Sequence, residues 1–244
     1  NLLPIYADHI LYPTLTDSCF HTEIHHVNGE GEDQGVVYCE MQGRENDSSS
    51  LVDRAVLDLL YPTGGYSAET GGKMANLRTL TNAQVARYHR EVYTPSNTLF
   101  VASGIIDRAA FVAALAVVER RVRAKPAVPP MSRPWSGPVA PMDEAADGVI
   151  AAAAGASGGG GEPKVVEFPS EDESTGCVSM AWRGPPYDDG ASWTRLQLLW
   201  AYLTDSAVAP LQKEFVECDE PLCADIGPAE DIFSHGYHQV WFHD

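Results

Sequence analysis

Two carboxylates seven residues apart, Asp33 and Glu40, have the types and spacing from which chemistry could be built. They lie in the run Gly29–Glu45, which reads as one amphipathic helix with acidic residues crowding its first turn, where they complement the helix dipole. On that helix Asp33, Val36, Val37, Glu40 and Arg44 fall on one face. A carboxylate in the middle of a core-facing helix needs a partner, because an unpaired buried charge is costly. Two partners suit it. One is an Arg or Lys, giving a structural ion pair. The other is a metal ion, with Glu40 as ligand and Asp33 steadying it from behind. Spacing alone leaves both open.

Other residues could ligate a metal. His21 and His25 are four apart and would face the same way on a helix, but Thr22, Ile24 and His26 alternate as in a strand, and two ligands do not complete a site. Asp8 and His9 read as the polar edge of a packed helix. His235, His238 and His243 read as surface or core residues of a strand. The five cysteines, Cys19, Cys39, Cys177, Cys218 and Cys223, form no C-x-x-C pair and fit reduced thiols. Neither H-x-x-E-H nor H-E-x-x-H occurs in the sequence.

The elements that must hold these residues follow from periodicity and caps. A helical rhythm over Asn1 to about Leu15 closes at Pro13. The segment 20–27 reads as a strand or extended stretch. A helix from about Ser50 to Tyr61 is capped by Asp47 or Ser48, with Leu51, Ala55 and Leu59 on one stripe. Another, capped by Thr81 or Asn82, runs to about Tyr93, and a strand is expected over Thr98–Gly104. Asp107 caps a long helix to about Arg123 that buries Phe111, Leu115, Val118 and Val122. From Pro126 to Glu162, prolines and then Ala and Gly runs indicate a linker. Beyond it come strands at Lys164–Pro169 and Gly176–Trp182 and a helix from Ser192 to about Val208 with Leu196, Leu199 and Leu203 inward. Pro210–Phe215 extends or restarts that helix, and a last strand spans His238–His243.

The run His25–Gly43, with Val36-Val37-Tyr38-Cys39-Glu40-Met41 at its centre, resembles the pitrilysin/insulinase family of zinc metalloproteases. Within it, the similarity is to the large eukaryotic branch related to presequence protease. The Tyr93-Thr94-Pro95-Ser96-Asn97 turn and the glycine-bearing stretch Tyr66–Gly72 resemble the same family. The resemblance implies an α+β fold of duplicated αβ domains, each an antiparallel-rich sheet with packed helices. Residues 1–125 would be the latter part of the catalytic-type domain, 126–162 a linker, and 163–244 the start of a second, non-catalytic domain. It implies zinc as cofactor, Glu40 as its downstream ligand and Asp33 as the supporting acidic residue. The two His ligands and the general-base Glu would come from an H-x-x-E-H segment outside this chain, so the chain carries no catalytic residue of its own. It is expected to be an inactive fragment of an endopeptidase hydrolysing peptides or small unfolded proteins. The alternative is a non-catalytic homologue acting as a scaffold or interaction subunit.

Composition agrees with a globular chain: 44% hydrophobic and 20% charged residues over 244 positions. A formal charge of −18 argues against nucleic acid or an anionic membrane as partner. The expected partners are peptide substrates and the rest of the same polypeptide. A cytoplasmic location is expected, with a mitochondrial or other organellar interior as the alternative, and no apolar run reaches transmembrane length.

Overall fold

A computed structural model describes residues 2–62, 65–126, 163–172 and 174–244. The linker expected at 126–162 lies, past Pro126, outside the described residues. The chain divides into two compact units that interleave in sequence: Asn1–Gly43 with Thr70–Ser136, and Arg44–Glu69 with Gly137–Asp244. Residues 44–69 thus group with the C-terminal part, where the linker reading sets them with 1–125.

The first unit is mainly helical. Helix α1 (Leu3–Leu11) packs on α7 (Arg108–Arg123) through Ala7, Leu11 and Val118, with Tyr12, Phe100 and Val122 at the margin. Asp107 caps α7 by accepting from Ala109 and Ala110 N–H, and Val118 is the helix's buried residue. Helix α2 (Asp17–Glu23) takes up the first half of the stretch 20–27 expected to be extended. Thr16 accepts from Cys19 N–H, and this cap decides for a helix over the alternating pattern.

Two short strands follow, β1 (His26–Val27) and β2 (Asp33–Gln34), paired antiparallel. Between them Asn28 Oδ1 accepts from both Glu30 and Glu32 N–H at 2.9 Å, an Asx turn that competes with helix. Helix α3 then runs only over Val36–Glu45. Gly35 explains the late start: its φ is +137°, and a Cβ there would lie 2.4 Å from the carbonyl oxygen of Ile24. The expected helix over Gly29–Glu45 is therefore corrected. Its first half is a hairpin, and Asp33 is not on the helix.

The unit continues through α5 (Met74–Leu77) and α6 (Asn82–Val92). Thr81 and Gln84 form a reciprocal capping box at the start of α6. A 3₁₀ turn, Pro95–Asn97, follows, and Asn97 Nδ2 donates to the carbonyl of Val92. The expected strand at Thr98–Gly104 is absent, since the segment pairs with no other strand among the described residues. Leu99 and Val101 stand 85% and 80% exposed.

The second unit is built on a three-stranded antiparallel sheet in the order β3 (Cys177–Pro186), β5 (His235–His243), β4 (Asp225–Asp231). Helix α4 (Ser48–Leu60), capped by Asp47, covers one face through Val56, Leu60, Tyr61 and Tyr237. The opposite face carries α8 (Gly190–Thr204) and α9 (Pro210–Phe215) over Trp200, Cys223, Ile226 and Val240. Ala55 of the expected α4 stripe is buried; Val56 and Leu60 complete the buried set. On α8, Leu199 is 49% exposed, and Trp193 and Trp200 take its place inside. The expected strand Lys164–Pro169 has no ladder partner among the described residues. Strand β4 contains Gly227 and Pro228, which give it no strand-like pattern; its edge position tolerates the proline's missing N–H. The architecture is α+β, with antiparallel pairing and packed helices. Among the described residues no helix is long and apolar enough to cross a membrane.

Candidate functional site

Asp33 stands at the centre of a hydrogen-bonded group in the first unit. Its Oδ1 accepts from His25 Nε2 at 2.7 Å. Its Oδ2 accepts from Tyr38 Oη at 2.9 Å and from Arg78 Nε at 3.0 Å. An ionised carboxylate only accepts, so His25 carries its proton on Nε2. Arg78 also donates through Nη2 to Tyr38 Oη, and its guanidinium lies 5.2 Å from the centre of the Tyr38 ring. The His25 and Tyr38 rings are 5.0 Å apart. Hydrogen bonds from His25, then Tyr38, then Arg78, pull the Asp33 carboxyl down to about 2.

The apolar core beneath explains how these residues meet. Tyr38 is wholly buried on the first turns of α3 and packs with Met41, Met74 and Leu77. Met74 and Leu77 belong to α5, and Arg78 is the residue that ends α5. One cluster thus holds both Tyr38 and the backbone from which Arg78 reaches back.

Glu40 lies elsewhere on α3. Val37, Tyr38 and Met41 form the inward face, and Glu40 is exposed. Among the described residues it has no hydrogen-bond or ion-pair partner. The core-facing carboxylate expected from the pattern is corrected on both counts: Glu40 is not buried, and no Arg or Lys among the described residues pairs with it. Nor do Asp33 and Glu40 share a helix face, because Gly35 separates a strand from a helix between them.

The histidines take structural parts. His26 Nδ1 donates to the carbonyl of His21, and His25 is committed to Asp33, so His21 and His25 do not act as a pair. On β5, His235 Nδ1 and Tyr66 Oη are 3.1 Å apart. His238 stacks on Trp182, and burial lowers its pKa. His243 stacks on Trp241. Among the described residues there is no group of three or more His, Cys, Asp and Glu arranged to hold a metal. Sequence reasoning missed Tyr38 and Arg78 as members of the site. Arg78 is 45 residues from Asp33, and only tertiary packing brings them together.

Helices packed with antiparallel strands make this an α+β chain, and Asp33 is its most heavily bonded carboxylate in the first unit. The description "Peptidase M16 inactive domain" belongs to the family model that matches residues 79–237. The chain belongs to the peptidase M16 family, the pitrilysin/insulinase family of the sequence resemblance.

An uncharacterized protein of Schizosaccharomyces pombe is 36% identical over 229 residues, covering 92% of this chain and 21% of the relative. The mitochondrial presequence protease of Xenopus laevis is 26% identical over 231 residues, covering 90% of this chain and 21% of the relative. The periplasmic protease PqqL of Escherichia coli shares the fold at a TM-score of 0.54 and 14% identity, over 99% of this chain and 23% of that one. The chain spans about a fifth of the length of the curated relatives it matches.

Proposed function

We propose that the chain is part of a zinc-dependent M16 endopeptidase acting on peptides or small unfolded proteins, and that it supplies a single zinc ligand, Glu40. The observation that carries this reading is that Glu40 projects from a packed helix as an exposed carboxylate with no side-chain partner among the described residues. Such a group can accept a cation without first breaking an ion pair. The described residues do not complete a metal site by themselves, so the chain alone should neither hold zinc firmly nor hydrolyse peptides. Glu40 fits as one contributed ligand, with two His ligands and the general base supplied by other parts of the polypeptide. Zinc, when bound, supplies Lewis acidity toward a peptide carbonyl. This chain's own part is to fix the carboxylate and, through Asp33, to orient a neighbouring group. In this reading residues 1–125 belong to the catalytic-type domain, and 163–244 open the second, non-catalytic one.

A second reading, a non-catalytic homologue acting as a scaffold or interaction subunit, is favoured by the inactive-domain description of the matching family model. The full-length polypeptide, incubated with an unstructured peptide with and without chelator, separates the two. Hydrolysis that stops with chelator and returns with zinc supports the peptidase. A folded polypeptide that takes up no zinc and cleaves nothing supports the scaffold.

A further inference from the structure

The geometry points to Arg78 as the positioning residue of this site, acting through Asp33 and Tyr38; this rests on the proposed ligand role of Glu40. Three features of the first unit support it.

First, Arg78 makes two different bonds with two different nitrogens, Nε to Asp33 Oδ2 and Nη2 to Tyr38 Oη. Tyr38 Oη also donates to that same Oδ2. The three groups close a ring, so the carboxylate cannot rotate without breaking two bonds. A planar, forked cation is needed for this; an ammonium is a single point of charge.

Second, a carboxylate offers about four acceptor positions. Among the described residues Oδ2 takes two donors, and Oδ1 takes one, His25. One acceptor position remains, on Oδ1, and its direction is set by the Arg78–Tyr38 clamp on the other oxygen. That suits a carboxylate that receives the ring N–H of a metal-binding histidine from elsewhere in the polypeptide.

Third, Tyr38 lies two residues before Glu40 on α3 and is wholly buried. Arg78 sits over its ring and on its hydroxyl, so it anchors the stretch of helix that projects Glu40. Arg78 is itself about half exposed, at 46% of its side chain. Its removal therefore opens no large cavity and should leave the fold standing.

The test is a double-substitution cycle in the full-length polypeptide, read as the dissociation constant for zinc ion against a competing chelator, with the melting temperature followed in parallel. Arg78→Met should weaken zinc binding by about 10–100-fold, the usual effect of losing a group behind a ligand. Arg78→Lys should remain weakened, because it cannot hold Asp33 and Tyr38 together. Asp33→Asn should weaken binding similarly, and the double variant Asp33→Asn/Arg78→Met should lose no more than the larger single loss. A merely structural Arg78 would lower the melting temperature while leaving zinc affinity of the folded variant unchanged, or give losses that multiply; either result overturns the inference. Glu40→Gln is measured alongside. Undiminished zinc binding by Glu40→Gln would show that the ligand reading itself had failed. Lost binding there, with full affinity in the Arg78 variants, would refute the positioning role alone.

Discussion

Arg183 donates from Nε to the carbonyl oxygen of Leu60 at 2.8 Å, joining β3 to the last residue of α4. A second bond runs from Nη2 to the same oxygen, and the guanidinium lies 5.0 Å from the Tyr61 ring centre. The last carbonyls of a helix lack intrahelical donors, and a cation there also meets the negative end of the helix dipole. One strand residue thus terminates α4 and fixes it to the sheet.

Replacing Arg183 with Met should cost the second unit about 1.5–3 kcal/mol, the range for losing a hydrogen bond to a charged group. Arg183→Lys should recover part of this. Urea unfolding followed by tryptophan fluorescence reports on the sheet directly, since Trp193, Trp200 and Trp241 are buried there. An unchanged midpoint in Arg183→Met would show that the contact contributes nothing.

Gly35 sets where α3 begins. Gly35→Ala would place a Cβ 2.4 Å from a backbone oxygen, at a φ of +137° that L-residues rarely adopt. A loss of about 1–3 kcal/mol is expected, the usual cost of such backbone strain. Gly29→Ala, where a Cβ meets nothing within 4 Å, should stay within about 0.5 kcal/mol. Equal stabilities of the two variants would remove Gly35 as the reason the helix starts late.

This position also shows why part of the structure was legible in the sequence and part was not. Asp47, Thr81 and Asp107 announce their helices because a cap is a local interaction between a side chain and backbone two or three residues on. The Gly29–Glu45 run misleads because its apolar and acidic spacing fits a helix, while the Asn28 turn and the Ile24 carbonyl decide otherwise. Strands were harder to read. Thr98–Gly104 and Lys164–Pro169 have strand-like composition but no ladder partner among the described residues, and β4 pairs despite Gly227 and Pro228. Pairing is a tertiary property that alternation alone does not encode. The sequence singled out Asp33, but not Arg78 and Tyr38, whose meeting depends on the Met41–Met74–Leu77 cluster, and Glu40 lies outside that hydrogen-bonded group.

Acid should loosen the Asp33 group in a defined window. Its carboxyl ordinarily titrates near 3.8 and is held at about 2 in the folded chain, first by His25 and then by Tyr38 and Arg78. A depressed folded value means the folded state binds its proton later than the unfolded state. The stabilising contribution is therefore full above about 3.8 and lost as pH falls toward 2. Wild type should lose stability over this interval more steeply than Asp33→Asn, as seen in denaturant midpoints measured at successive pH values. Parallel curves for the two proteins would contradict the arrangement around Asp33.

The most direct test of the central proposal is zinc content and melting temperature measured together on Glu40→Gln in the full-length polypeptide. Gln keeps the size of Glu but removes the negative charge that helps hold a dication. Because Glu40 is exposed and has no cationic partner among the described residues, the metal-free variant should melt at the wild-type temperature. The expected result is loss of most bound zinc and nearly all hydrolysis, with the metal-free melting temperature unchanged. A fully zinc-loaded, active Glu40→Gln polypeptide would contradict it.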